Sequence, residues 1–377
     1  MTSPQPAASP DPAPSARPHA RGEGRSAHAR AVREGRSAQG GDEELSRRVD
    51  LVMEGGGVKG IALAGALEVL EERGYRVNRV AGSSAGAIAG ALATSGISGT
   101  EMVEILRGTD YREFEDGPWW TRPMLGKGLA ILTHLGVHRG DALVAWLERQ
   151  LAEHAGPDRT GTFADLRYRD PDPAQQLSGP QAFRLVVTAS DLSAGRLRYL
   201  PTDADAFGTA PEQLRVVEAV RASASIPLFF RPVRWKNTHG RTSVLVDGGM
   251  LSNFPTSVFD RPGGEPPRWP TFGVKLSAKP EADFGVRNHI RGPLSFGKAV
   301  VDTVTGFYDR MHIDASHAVA RTIFIDTAAV RPTQFDLSED ERELLYRKGR
   351  EAARTFLDGD EAHEAWDFER YVARFRT

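Results

Sequence analysis

Val77-Asn78-Arg79-Val80-Ala81-Gly82-Ser83-Ser84-Ala85-Gly86 is an apolar β run that stops on a glycine and passes at once into a segment of small residues. Gly82-x-Ser84-x-Gly86 has the spacing of a nucleophile elbow, a sharp strand-to-helix turn that lifts a serine hydroxyl clear of the backbone. Glycines two positions to either side give room for that turn. A serine placed there also stands at a helix N-terminus, where free N–H groups and the helix dipole favour a developing oxyanion. The bland alternative is an ordinary helix start rich in small residues.

Immediately upstream, residues 49–53 form a short β run ending in Glu54-Gly55-Gly56-Gly57-Val58-Lys59-Gly60. Ile61, Leu63, Leu67 and Leu70 then recur at helical spacing, with Gly74 after the last turn. The pattern is β-turn-α twice over. The consecutive glycines leave backbone N–H groups free to point at a ligand, as an acyl-transfer enzyme requires of its oxyanion hole. Gly55, Gly57 and Gly60 also satisfy the dinucleotide fingerprint G-x-G-x-x-G, so a nucleotide-binding protein is the competing reading. The acidic ribose partner expected at the end of the second strand is missing, however: Arg79-Val80-Ala81-Gly82-Ser83 stands there. Lys59 reads either as a phosphate-cradling lysine or as a solvated turn residue.

A third motif, Val244-Leu245-Val246-Asp247-Gly248-Gly249, delivers a carboxylate at the end of an apolar strand into a glycine turn. Functional groups of open α/β sheets collect at strand ends. An Asp merely supporting its own turn is the alternative. An unperturbed Asp, with a pKa of about 3.9, is about three units too weak a base at neutral pH, a mismatch of roughly 4 kcal/mol that burial can partly recover. A triad in the chain order Ser, Asp, His would draw on His289, His312, His317 or His363, each also explained as an ordinary structural histidine.

The remaining sequence frames these motifs. Of 377 residues, the first 45 are rich in Pro, Ala, Ser, Gly and Arg and read as a disordered tail. Its arginines could meet anionic lipid or belong to a transit peptide; a solvated tail is the simpler account. Residues 46–377 are expected to form one catalytic domain. Lys plus Arg (48) against Asp plus Glu (50) gives a net charge of -2, which offers no global field for nucleic acid. The absence of cysteine excludes disulfides, thiol catalysis and cysteine-ligated metals. Neither a metal nor a cofactor is expected. No apolar run approaches a membrane span and no secretory h-region opens the chain, so a cytoplasmic protein is expected, with peripheral contact at a membrane surface left open. Further strands are predicted near 183–190, 228–234, 243–246, 271–276 and 322–325. Helices are predicted near 100–107, 139–152, 211–222, 295–313, 338–357 and 361–372. This alternation indicates an α/β fold with a mostly parallel sheet covered on both faces.

Taken in order, EGGGVKGI (54–61), GSSAG (82–86) and VDGGMLSNFP (246–255) resemble the patatin-like phospholipase family, over about residues 49–255. The stretch Ala222-Ser223-Ala224-Ser225-Ile226-Pro227-Leu228-Phe229-Phe230 is similar to the family's Ser/Ala segment before the Asp strand. The resemblance implies a three-layer α/β/α fold and a lipid acyl hydrolase with a Ser-Asp dyad. It assigns the nucleophile to Ser84, the base to Asp247 and the oxyanion loop to Gly55, Gly56 and Gly57. Ser83 stands where the family often has Thr, and the regions before residue 49 and after Lys279 carry no matching motif. The elbow comes after only one strand and one helix, earlier than in α/β-hydrolases. A lipid or other hydrophobic ester is the implied substrate, with Leu228, Phe229, Phe230, Trp119, Trp120 and Leu125 as candidate apolar walls. A catalytically silent lipid-binding scaffold is the remaining alternative.

Overall fold

The computed structural model describes residues 47–376, except 122, 156–160, 173, 176, 262–264, 278–289, 291, 293–295, 297–298 and 300–315. The tail reading, His289 and His312 therefore fall outside the described residues, as does the helix predicted at 295–313 apart from residues 296 and 299. In chain order the elements are β1 (Arg48–Met53), α1 (Gly60–Glu72), β2 (Arg76–Gly82), α2 (Ala85–Thr94), α3 (Gly99–Gly108), α4 (Met124–His134), β3 (Gly136–His138) and α5 (Asp141–Ala155). They continue with β4 (Leu185–Asp191), β5 (Arg196–Leu200), α6 (Val216–Ser223), β6 (Leu228–Phe230), β7 (Val233–Lys236), β8 (Thr242–Asp247), β9 (Thr271–Lys275), α7 (Ser316–Val319), β10 (Thr322–Phe324), α8 (Glu339–Asp358) and α9 (Phe368–Phe375).

The central sheet has the order β10-β9-β1-β2-β4-β8-β7, with β5 also paired to β4. β1, β2, β4, β9 and β10 are parallel, whereas β5, β7 and β8 join antiparallel. β1 is central and buried on both faces, which is why it reads as a continuous apolar run. Its side chains alternate: Leu51 and Met53 join the large core formed with α1, α2 and α8, while Val52 packs with Ala81, Val186, Phe254 and Phe259 on the other face. α1 is buried almost all round because the sheet lies on one side and α8 and α3 on the other.

Several expectations shift in detail. The helix predicted at 211–222 begins only at Val216, after a 3-10 turn at Pro211–Gln213. The run at 228–234 is broken around Pro232: β6 leaves the main sheet to pair with β3, and β7 alone continues into it. Proline lacks the N–H that a continuous ladder would need. The final helix starts at Phe368 rather than near 361. Helix α3 matches its prediction and is closed by a Ser98/Glu101 capping box.

Candidate active site

Ser84 sits between β2 and α2 with φ +50° and ψ -117°, outside the favoured regions for a residue with a side chain. The turn is held by close approach. A Cβ on Gly86 would lie 2.1 Å from the Met53 carbonyl oxygen, and one on Gly82 would lie 2.3 Å from the Gly86 carbonyl carbon. Gly86 is therefore required by the contact between the elbow and the end of β1, and Gly82 by the tightness of the turn itself. The Ser84 N–H donates to Ser223 Oγ at 2.9 Å.

Asp247 ends β8, which runs antiparallel to β4, so its strand points the opposite way from β1 and β2. Register nonetheless brings it level with the elbow. Gly82 pairs with Val187, and two residues further along β4, Ala189 pairs with Asp247. The Asp247 N–H donates to the Ser225 carbonyl at 2.9 Å, so the Ser/Ala segment bridges nucleophile and carboxylate. Asp247 is 7% exposed, and its carboxylate accepts the Gly249 N–H at 2.8 Å. Burial pushes its pKa up to about 6, against hydrogen bonds from the Ser84 hydroxyl and the Gly249 N–H that hold it down. Ser83, whose buried Oγ closes no hydrogen bond of ordinary geometry, also stands near enough to lower it. No cation is paired with Asp247 among the described residues. His317 lies instead beside Arg321, Arg376 and Asp260, and His363 pairs with Asp360, so neither completes a triad.

The glycine loop is pinned at three points. Asn253 holds the Gly55 peptide from both sides, its Oδ1 accepting the Gly55 N–H and its Nδ2 donating to the Gly55 carbonyl, each at 3.1 Å. Glu54 forms a buried ion pair with Lys275 and accepts the Leu276 N–H, fastening the ends of β1 and β9 together. Pro332 lies over Gly57 (φ +58°), its carbonyl taking the Val58 N–H at 3.1 Å. A Cβ on Gly57 would come within 1.9 Å of that oxygen. The Gly56, Gly57 and Ala85 N–H groups find no acceptor among the described residues, whereas the Gly55 N–H is occupied. Lys59 is neither solvated nor open to a phosphate: its Nζ donates to Thr327 Oγ1 at 3.1 Å, and burial lowers its pKa against the pull of Glu54 and Asp326. Gly60 simply opens α1, and Gly248 lies buried beneath Thr188.

Beside Gly57 and Ala85 lies an apolar cavity of about 30 Å³, walled by Leu92, Leu106, Phe114 and Trp146. None of the wall candidates from the sequence lines it. Phe230 is core, Phe229 stacks on Phe335 at 4.6 Å, Leu228 and Trp120 are half-buried, and Trp119 is exposed. The Leu125 side chain lies outside the description. Two larger cavities, about 690 Å³ against β10, α8 and α9 and about 320 Å³ around Asp50 and Arg79, are lined by none of the site residues. Asn253 and Ser223 are the positioning residues that sequence reasoning passed over, although both lie inside segments quoted for their resemblance.

Comparison with known proteins places the sequence among patatin-like phospholipases. The sequence profile described as patatin-like phospholipase matches residues 51–260. The uncharacterized protein YqhO of Bacillus subtilis (strain 168) is 35% identical over 82% of this chain and 98% of its own length. An uncharacterized NTE family protein of Mycobacterium tuberculosis, MT2641, is 29% identical over 56% of this chain and 28% of its own length. Among solved structures, VipD from Legionella pneumophila matches with TM-score 0.44 and 17% identity, over 82% of this chain and 66% of that one. The ExoU–SpcU complex of the Pseudomonas aeruginosa type III secretion system matches with TM-score 0.45 and 18% identity, over 81% of this chain and 50% of that one. The chain thus spans half to two thirds of the solved structures it matches.

Proposed function

The chain belongs to the patatin-like phospholipase family, a family of lipid acyl hydrolases in general, and from that premise we propose that it cleaves carboxylic esters of lipids through a Ser84–Asp247 dyad and an acyl-enzyme. The observation that carries this reading is a buried carboxylate, with no paired cation among the described residues, close enough to the hydroxyl of a strained elbow serine for that hydroxyl to lower its pKa. A base with a pKa of about 6 is mostly ionised at neutral pH and lies within about one unit of the ideal match. Ser84 Oγ attacks the ester carbonyl carbon while its proton passes to Asp247. The oxyanion of the tetrahedral intermediate is held by the N–H groups of Gly56, Gly57 and Ala85. As the intermediate collapses, the C–O bond to the alcohol breaks and that oxygen takes the proton back from Asp247. Water, deprotonated in turn by Asp247, attacks the acyl-enzyme and releases the fatty acid, returning the proton to Ser84.

Selectivity should rest on apolar walls, since each buried methylene contributes about 0.8 kcal/mol. The catalytic unit is proposed to span 46–377 behind the 1–45 tail, with neither metal nor cofactor taking part. No described helix is long and apolar enough to cross a membrane. We place the protein in the cytoplasm, where it would meet lipid at a surface.

A fluorophosphonate probe tests the assignment. Wild-type protein should be labelled on Ser84 and Ser84→Ala should not. Wild-type kcat/KM on a soluble short-chain ester should fall on the acid side with an apparent pKa near 6. Folded wild type that neither labels nor turns over ester would leave a silent lipid-binding scaffold as the better account.

A further inference from the structure

Four of the seven large apolar side chains exposed among the described residues fall within one stretch: Trp119 (80% exposed), Leu129 (55%), Leu132 (82%) and Leu135 (47%). Single exposed apolar residues need no explanation, but a group concentrated in one short stretch of chain points to a surface that something covers. Helix α4 has the sequence MLGKGLAILTH, apolar on nearly every side, yet among its described side chains only Ala130 is fully buried. A helix of that composition belongs inside a core or against an apolar phase, and two glycines in its interior weaken any case that it forms for its own sake.

The charge pattern names the phase. Between Asp116 and Asp141 there is no acidic residue, while Arg122, Lys127 and Arg139 are basic, and Lys127 and Arg139 are exposed. Asp116 is itself consumed at the base of this excursion, accepting the Gly140 N–H at 2.9 Å and the Ala142 N–H at 3.1 Å. An exposed tryptophan, exposed leucines and exposed cations with no acidic residue between Asp116 and Asp141 together match the interface of an anionic bilayer, where rings and aliphatic chains enter the headgroup boundary and cations meet phosphate. The excursion also hangs from the candidate active site. β3 follows α4 directly and pairs with β6, and β6 lies three residues past Ser225, whose carbonyl holds the Asp247 N–H.

We propose that the face formed by Trp119, Leu129, Leu132 and Leu135 docks the protein on an anionic lipid surface. This deepens the hydrolase reading by naming where substrate is met, but docking itself does not require Ser84 to be a nucleophile. Full-length protein is sedimented with vesicles of phosphatidylcholine alone and of phosphatidylcholine mixed with phosphatidylglycerol, alongside Leu129→Gln/Leu132→Gln and Lys127→Glu. Wild type should bind the mixed vesicles more strongly than the neutral ones. The double variant should lose about tenfold or more in partitioning to both, and Lys127→Glu should lose affinity mainly for the anionic ones. Fluorophosphonate labelling of Ser84 should be unchanged in both variants, which separates loss of docking from loss of fold. The basic tail is common to all three proteins, so double-variant binding equal to wild type would place docking elsewhere and overturn the proposal. So would a wild-type dimer in sedimentation equilibrium that the double variant dissociates, since the face would then cover a second copy. Vesicle binding without labelling would sink the Ser84 reading alone; labelling without patch-dependent binding would sink this one alone.

Discussion

Two buried aspartates at opposite ends of the central sheet are held in opposite ways. Asp50, near the start of β1, is gripped by Arg79 Nε at 3.0 Å and Nη2 at 2.5 Å, and by Trp269 Nε1 at 2.8 Å. The guanidinium in turn lies over Tyr168 and Phe259 at 5.0 and 4.6 Å. Asp247, at the far end, accepts the Gly249 N–H and has the Ser84 and Ser83 hydroxyls nearby, with no cation among the described residues. Glu54 with Lys275 and Asp191 with Arg198 follow the Asp50 pattern, so among these buried acids Asp247 is the exception. Desolvation without a countercharge turns a carboxylate into a base; desolvation with one turns it into a clamp.

The largest break in that contrast should come from Asp247→Asn, which keeps the shape and removes the base. Turnover of a soluble ester should fall by about 10⁴-fold, the scale seen when a triad member is lost. Survival of most activity would reassign the base. At the other end, Arg79→Met strands the Asp50 charge and should cost about 3–5 kcal/mol of stability in denaturant unfolding, while the folded fraction still labels at Ser84. Adding Asp50→Leu should recover much of that loss, because a buried pair contributes less than its broken half costs.

Asp247→Asn should also move stability in the opposite direction from Arg79→Met. A carboxyl raised from 3.8 to about 6 on folding binds its proton more tightly in the native state. Its contribution is therefore complete below about pH 4 and is lost as pH climbs through 6. An uncharged Asn escapes that loss, so the variant should match wild type near pH 4 and exceed it by about 3 kcal/mol at pH 8. A wild-type melting temperature equal to or above the variant's at pH 8 would mean that the carboxylate is better solvated than its burial indicates.

What the sequence made legible follows from distance along the chain. β1, α1, β2 and the elbow are local: apolar runs punctuated by glycine, each explained by residues within a turn or two. The partners that decide what the site residues do are remote. Lys59 looks like a solvated turn residue until Thr327, 268 positions away, takes its ammonium. The Gly55 N–H looks free until Asn253, 198 positions on, accepts it, so the open donors move to Gly56, Gly57 and Ala85. The place of β8 was equally hidden, because it is set by antiparallel pairing with the distant β4, a pairing that no pattern within either strand encodes. The small cavity beside the elbow was hidden for a related reason. Aromatic residues near a catalytic motif are core by default, and the cavity is walled instead from α2, α3, α5 and the 3-10 turn at Tyr111–Phe114.

The smallest effect is the most discriminating. Asn253 is the clamp at the catalytic end, where an amide does for the Gly55 peptide what Arg79 does for Asp50, but with neutral hydrogen bonds worth about 1 kcal/mol each. Asn253→Ala should therefore lower the melting temperature by only a few degrees. The freed Gly55 peptide, however, adjoins the Gly56 N–H, and a donor displaced from the oxyanion forfeits part of the roughly 3–4 kcal/mol that such a donor supplies. The expected outcome is a fall in kcat of about tenfold with KM nearly unchanged, because the loss is felt only when charge develops on the substrate oxygen. Asn253→Asp, which keeps the acceptor for the Gly55 N–H but not the donor to its carbonyl, should recover part of that rate. A rise in KM with kcat preserved would show that the clamp shapes the binding groove rather than the oxyanion hole.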